Sequence, residues 1–204
     1  MFLLAIFLLA LTGCGSTSNK SEKTEKVVKQ QESKPSQVAK KSFLTKTNKP
    51  NLLNYANPSF EKPIDGKVVK ARADKGQMNL AEHGVTDKAA LSGKQSLAVV
   101  LEKGGLKLSY GIWRLKDQID PNKQYRFEFD AIVARGNAVF FSKVSESPWQ
   151  RSPFKNTLEW QTVGNTIEGK FLAKGQPLHL HIDNIKNKDF AVVFIDNVRL
   201  YAID

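Results

Sequence analysis

Residues 125–131 read Tyr-Arg-Phe-Glu-Phe-Asp-Ala, so apolar and charged side chains alternate strictly. Successive side chains of a strand point to opposite faces of its sheet, and the alternation predicts a strand with one face in a core and the other towards water. The turn formers Asp120, Pro121 and Asn122 precede it. The chain therefore contains at least one half-buried strand, and the rest of the sequence must supply its partners.

Short apolar runs of the same kind recur through residues 51–204, and turn residues separate them. The predicted strands are 96–101, 106–114, 125–131, 138–144, 160–171, 178–182 and 190–200. No convincing long amphipathic helix accompanies them. The predicted fold class is all-β, an antiparallel β-sandwich or jelly roll, formed by residues 51–204 as one domain.

The N-terminal run Met1–Leu11 is almost wholly apolar, which suits a signal peptide and is too short to cross a bilayer of about 30 Å. Residues 11–14 (Leu-Thr-Gly-Cys) follow at once and resemble the lipobox of bacterial lipoproteins. No basic residue precedes the apolar run, which suggests that the natural start lies upstream or that the chain was shortened. The resemblance implies a signal peptide over 1–13 and a lipidated Cys14, on the outer face of the cell membrane; an isolated buried cysteine is the alternative.

Residues 14–50 are predicted to form a disordered tether, because few of their side chains are apolar. Nine lysines and three glutamates give residues 15–50 a net charge of +6, which is more than half of the total of +11. These lysines either attract the tether to an anionic membrane or wall polymer, or form a solvated spacer. The dispersal of the remaining basic residues, together with the export signal, argues against nucleic acid as a partner.

Composition and motifs exclude several kinds of chemistry. A single cysteine excludes an intramolecular disulfide and a zinc site built from several thiolates. The sequence has no phosphate-binding glycine loop and no Gly-x-Ser-x-Gly motif. We therefore expect a protein that is not an enzyme.

Five local motifs follow one another along residues 51–204. They are 51–53 with 57–61 (Asn-Leu-Leu and Asn-Pro-Ser-Phe-Glu), 93–97 (Gly-Lys-Gln-Ser-Leu), 125–127 (Tyr-Arg-Phe), 160–163 (Trp-Gln-Thr-Val) and 194–200 (Phe-Ile-Asp-Asn-Val-Arg-Leu). Together they resemble carbohydrate-binding module families four, nine and twenty-two over nearly all of residues 51–204. The resemblance implies a galactose-binding-like jelly roll, a fold that carries sugar-binding, protein-binding, lipid-binding and structural roles.

The same resemblance implies a structural calcium ion. In those families the Glu of the opening motif and the Asp of the closing strand commonly hold calcium together with backbone carbonyls. The matching residues are Glu61 and Asp196. The alternative is that both carboxylates only cap turns or pair with lysines.

A sugar-binding face needs flat aromatic rings for the pyranose faces and polar groups for the hydroxyls. If 106–114 is one strand, Trp113 lies opposite its apolar side chains and forms an exposed platform, unless a bulge reverses the alternation. Arg126, Glu128 and Asp130 face away from the apolar side chains of their own strand. They are candidates for hydroxyl binding, or they are merely solvated.

Two further tryptophans have different expectations. Trp149 lies in the turn-rich loop 145–154, where it either presents its ring at the rim of the sheet or folds back over the core. Trp160 matches a structural position of the resembled families and is expected in the core.

His179, His181 and Asp183 alternate along one predicted strand and should share one face. The two histidines are candidates for ligand binding or for a solvated sheet face. They are also candidates for a zinc enzyme in which His83 supplies a third ligand.

The resulting hypothesis is a cell-surface lipoprotein whose β-sandwich binds carbohydrate, either a polysaccharide or a cell-wall glycan, without catalysis. The alternative is a protein-protein adaptor or structural subunit of an envelope complex. Burial of Trp113 and Trp149 would favour the adaptor.

Overall fold

The computed structural model of the chain describes residues 44–73, 81–144, 146–155, 157–184 and 190–203. The predicted signal peptide, Cys14 and the predicted tether up to residue 43 lie outside the described residues. In the described part of the chain, no helix is long and apolar enough to cross a membrane.

Ten strands run through the described residues, and every strand pair is antiparallel. The strands are β1 (Val69–Ala73), β2 (Ala81–Thr86), β3 (Ser96–Leu101), β4 (Gly105–Tyr110), β5 (Gln124–Arg135), β6 (Val139–Val144), β7 (Gln150–Ser152), β8 (Gln161–Glu168), β9 (Leu178–Asp183) and β10 (Ala191–Ile203). Sheet I has the order β1-β4-β9-β6-β7, and sheet II has the order β2-β3-β10-β5-β8. The predicted all-β sandwich is confirmed.

The two sheets bury their inner faces against each other. Phe127 and Phe129 point inward from β5 of sheet II, as the alternation over 125–131 predicts. The ring of Phe127 lies 6.1 Å from that of Tyr110 in sheet I, and the ring of Phe129 lies 5.3 Å from that of Phe140. Burial of a large apolar side chain contributes about 1.5–3 kcal/mol, so these contacts are a major part of what joins the sheets.

The opening segment closes the fold against β10. Asn51 accepts a hydrogen bond from the Leu200 amide and donates its side-chain amide to the Val198 carbonyl. Leu53 and Phe60, from the opening motif, are fully buried. A 3-10 helix, Asn54–Ala56, lies between them. This motif therefore has a structural role in the described fold.

Strand β4 is shorter than predicted and ends at Tyr110, after which a 3-10 helix runs over Trp113–Gln118. Gly111 marks the change, because the ring of Trp113 lies 1.7 Å from the place where a Cβ of residue 111 would be. The expectation that Trp113 belongs to a strand face is therefore wrong.

Three strands were not predicted: β1, β2 and β7. Each lies at the edge of its sheet and lacks the apolar run that marks most of the other strands. The predicted region 160–171 forms β8 and a single helical turn, α1 (Gly169–Leu172). Thr45, from the predicted tether, donates its amide to the Thr162 hydroxyl in β8 at 2.7 Å.

Candidate functional site

The outer face of sheet I carries a set of polar and aromatic side chains that alternate with core residues. Its strands show the buried and half-exposed alternation expected of a sheet with one wet face. We call this set the outer face of sheet I: Lys70, Arg72, Lys107, Ser109, Phe141, Lys143, Arg151, His179, His181 and Asp183.

Trp149, just before β7, lies beside this face and is 44% exposed. Its ring is 6.3 Å from that of His179 and 5.7 Å from that of His181. The ammonium of Lys143 lies 5.7 Å from the same indole, within reach of a cation–π interaction. The predicted aromatic at the rim of the sheet and the two predicted histidines thus form one cluster.

Hydrogen bonds across the sandwich position the β6–β7 hairpin that carries Trp149. Asn165, on the inner face of β8, donates its side-chain amide to Ser142 and Ser152, each at 2.8 Å, and to the Gln150 carbonyl at 3.0 Å. The Ser147 hydroxyl accepts from the Val144 amide in the connecting turn. Since buried polar groups with satisfied partners fix a local geometry, the place of Trp149 is set by the sandwich itself.

His179 bonds to the neighbouring strand and has a lowered pKa. Its Nδ1 lies 2.9 Å from the hydroxyl of Ser109 on the neighbouring strand β4. Burial, and then the charges of Lys107 and Lys143, lower the pKa of His179 to about 4. The imidazole is therefore neutral at pH 7 and can both donate and accept a hydrogen bond.

Trp113 is also exposed, at 51%, but it lies on the 3-10 helix and not on the outer face of sheet I. Its ring covers Gly111, and the guanidinium of Arg114 lies 5.9 Å from the ring centre. No ring contact between Trp113 and Trp149 occurs among the described residues. The structure thus provides two separate exposed tryptophans, and only Trp149 lies beside the histidines.

Glu128 and Asp130 lie on sheet II and are buried, at 1% and 3% exposed. Arg199 donates to both oxygens of Asp130, at 2.8 and 3.1 Å, and to Glu128 at 3.1 Å. Arg126 approaches the other oxygen of Glu128 at 3.3 Å. Both carboxylates and their donors lie on sheet II, whereas the candidate site is on sheet I. The expectation that these carboxylates face a ligand is not met, and we do not include them in the candidate site.

Arg199 balances this buried cluster. Burial alone would lower its pKa, but the hydrogen bonds and charges of Asp130 and Glu128 outweigh that effect, and the pKa of Arg199 is raised. A buried cluster of this kind loses much stability when Arg199 is removed, because Asp130 then has no ion pair among the described residues and Glu128 keeps only Arg126.

We expect Arg199→Met to lower the free energy of unfolding by about 3–5 kcal/mol, because it leaves Asp130 buried without an ion pair and Glu128 with Arg126 alone. Arg126→Met is the matched control: its side chain is 33% exposed, and we expect a loss of less than about 1 kcal/mol. Urea unfolding of both variants at pH 7 measures the difference. Equal losses would contradict the assigned role of Arg199.

Glu61 and Asp196 bind the same turn from two sides. Glu61 accepts from the amides of Lys94 and Gln95, at 3.0 and 3.2 Å. Asp196 accepts from the Leu91 and Ser92 amides, at 3.0 and 2.8 Å, and burial raises its pKa. The first and last parts of the domain thus meet at this turn through hydrogen bonds.

Within the described residues, no group of three or more His, Cys, Asp or Glu side chains is placed to hold a metal ion. The side chains of Glu61 and Asp196 alone therefore do not form a calcium cage, and a cation there would depend on backbone carbonyls. Calcium stays a prediction. The proposed zinc group does not form either, because His83 lies on β2 of sheet II, whereas the other histidines lie on β9 of sheet I.

Trp160 is half-exposed, so the expectation that it lies in the core is wrong.

A pocket of about 510 Å³ is formed by the opening segment, within residues 54–69, and none of the predicted ligand-binding side chains lines it.

Sequence reasoning missed Phe141, Lys143, Lys107 and Ser109 as parts of the site. Phe141 packs 6.2 Å from His181, and it lies there because β6 pairs with β9. The alternation within 138–144 gives the face of each side chain, but strand order in the sheet is a long-range property. Only the pairing of β4, β9 and β6 brings these residues together.

The fold is shared with known carbohydrate-binding proteins. No protein-family model and no curated protein matches the sequence. The solved module TmCBM61, in complex with β-1,4-galactotriose, is 18% identical with a TM-score of 0.51, over 76% of this chain and 99% of that chain. An arabinose-bound MgGH51 α-L-arabinofuranosidase is 10% identical with a TM-score of 0.52, over 72% of this chain and 26% of that chain.

The CBM22-1 xylan-binding domain from Paenibacillus barcinonensis Xyn10C is 17% identical with a TM-score of 0.47, over 72% of this chain and 92% of that chain. The matches above 0.5 show the fold: the described residues form a jelly-roll β-sandwich of the kind found in carbohydrate-binding modules. The fold implied by the five sequence motifs is confirmed.

Proposed function

We propose that the chain binds carbohydrate without catalysis, through Trp149 and the outer face of sheet I. The observation that carries the proposal is the exposed indole of Trp149 held beside His179 and His181 on a five-stranded sheet. The fold likeness to a module solved with a galactotriose supports the same class of ligand. A polysaccharide or cell-wall glycan is the proposed partner.

The chemistry of the face suits a sugar. An indole offers a flat apolar surface to the CH groups of a pyranose ring, and a rigid aromatic loses little conformational entropy on binding. The neutral imidazole of His179 and the hydroxyl of Ser109 offer donors and acceptors to sugar hydroxyls. Because both lie on strands of one sheet, their spacing is fixed before the ligand binds.

Burial of the two tryptophans would have favoured the adaptor alternative. Trp113 and Trp149 are 51% and 44% exposed, which favours the sugar-binding proposal. Trp113 lies beyond the end of β4, outside the outer face of sheet I, and the earlier prediction that it binds ligand is not part of this proposal.

We expect the full chain to retain at least one polysaccharide or wall fragment on a glycan array. Trp149→Ala should weaken that binding about tenfold or more, because it removes the proposed stacking surface. Trp113→Ala is the matched control, since it removes an equally exposed tryptophan outside the face, and we expect it to bind as the parent does.

Two results would contradict this proposal. Binding lost in Trp113→Ala and kept in Trp149→Ala would move the site to the 3-10 helix. Absence of binding to any glycan, in a chain whose thermal unfolding shows that it is folded, would favour the adaptor.

We further propose that the chain is lipid-anchored at Cys14 on the extracytoplasmic face of the cell membrane. The support comes from the sequence: the only cysteine falls at the end of the N-terminal apolar run, within residues 11–14 that resemble a lipobox. Two or more acyl chains would hold the protein firmly, because each buried CH₂ contributes about 0.8 kcal/mol.

In a bacterial host, we expect the parent chain in the membrane fraction and Cys14→Ser outside it. Ser16→Ala, a change two residues away that keeps the thiol, should stay with the membranes. Fractionation followed by immunoblotting reads both variants. A Cys14→Ser protein that still sediments with membranes would contradict lipid anchoring at this thiol.

A further inference from the structure

The outer face of sheet I is strongly cationic. It carries five Lys or Arg side chains and one carboxylate, Asp183, which lies at its end opposite Gly105 and Val139. The five cations are Lys70, Arg72, Lys107, Lys143 and Arg151. The net charge of +5 on residues 51–204 is therefore not spread evenly over the domain.

The register places several of these charges in one row. Arg72 lies opposite Lys107, which lies opposite His181, and the row continues across β6 to Arg151. Like charges directly opposite each other on neighbouring strands are destabilising. The pairing of Arg72 with Lys107 thus costs stability in the isolated protein.

On sheet II, by comparison, the buried carboxylates of β5 form ion pairs. Glu128 and Asp130 both pair with Arg199, and Glu128 pairs with Arg126 as well. By contrast, none of the five cations on the outer face of sheet I forms an ion pair with a carboxylate of the described residues. The depressed pKa of His179, caused by burial and then by Lys107 and Lys143, reflects the same positive field.

We propose that the outer face of sheet I binds a polysaccharide that carries negatively charged groups. This inference rests on the proposed function and names its ligand class. Anionic substituents would meet cations on either side of β9, because Lys107 lies on β4 and Lys143 on β6. Complementary charge of this kind gives specificity and speeds association.

The aromatic side chains distinguish a polysaccharide from other polyanions. Trp149 and Phe141 lie among the cations, with rings 5.7 and 6.2 Å from that of His181. A row of charges alone would take any polyanion, whereas an indole between charges favours a chain with both flat apolar faces and acidic groups.

The test compares polymers that share one backbone: dextran, carboxymethyl-dextran and dextran sulfate, with poly-glutamate as a polyanion that has no sugar. Affinity electrophoresis of the full chain, at about 20 mM and about 500 mM salt, measures binding and its screening. The two anionic dextrans also distinguish carboxylate from sulfate as the preferred group.

The face variant is Arg72→Gln with Lys107→Gln, which removes two opposed like charges, leaves Trp149 intact and should not lower stability. The matched control is Lys26→Gln with Lys29→Gln in the predicted tether, which changes the net charge equally.

We expect an anionic dextran to bind more strongly than dextran at low salt. The face variant should lose about fivefold or more of that binding, and the tether variant little.

Three results would overturn the inference. They are dextran bound as well as its anionic forms, poly-glutamate bound as well as either anionic dextran, or the loss occurring in the tether variant and not in the face variant. In each case the proposed function survives if the chain still retains a glycan on the array through Trp149. Loss of all glycan binding on that array would instead reject the proposed function itself.

Discussion

The ion cluster of Arg199 with Glu128 and Asp130 is the interaction on which the organisation of sheet II depends. It joins β10 to β5, the two longest strands, at the point where their register shifts between Asp196 and Arg199. The shift places Asn197 in a left-handed conformation, with φ of 51°, and sets Asp196 opposite Asp130. The two opposed carboxylates have separate donors: Arg199 donates to Asp130, and backbone amides donate to Asp196.

The same bulge receives the opening segment of the domain. Asn51 bonds the β10 backbone on the far side of it, and the Val198 amide donates to the Pro58 carbonyl. The buried charged side chains on the outer face of sheet II are thus bound by other groups of the protein. On the outer face of sheet I, Trp149 is 44% exposed and the two histidines are half-buried.

Much of the fold could be predicted from local patterns. Alternation over 125–131 gave the inward set of β5, and the apolar run over 96–101 gave β3 with its bounds. The chain departs from the predicted strand at Gly111, because a tryptophan ring two residues later needs the space of a side chain. That contact is local and comes with the 3-10 helix over Trp113–Gln118, which the alternation of 106–114 does not indicate.

Only part of the site could be predicted, because the rest depends on which strands pair with each other. His179 and His181 share a face because they are two residues apart on one strand, which the sequence states directly. Phe141 and Lys143 join them through the pairing of β6 with β9, nearly 40 positions apart in the chain. Glu128 and Asp130 look solvated from their alternation, and only the long-range partner Arg199 reveals that they are buried.

The most direct measurement uses the three tryptophans of the chain as reporters. Each indole N–H gives one cross-peak in a ¹H–¹⁵N spectrum, and a polysaccharide that the array identifies can be titrated into the labelled protein. If the outer face of sheet I is the binding site, the Trp149 indole and the His179 ring signals shift with increasing glycan while the Trp113 and Trp160 indoles do not. A shift of Trp113 alone, with Trp149 unchanged, would contradict the account.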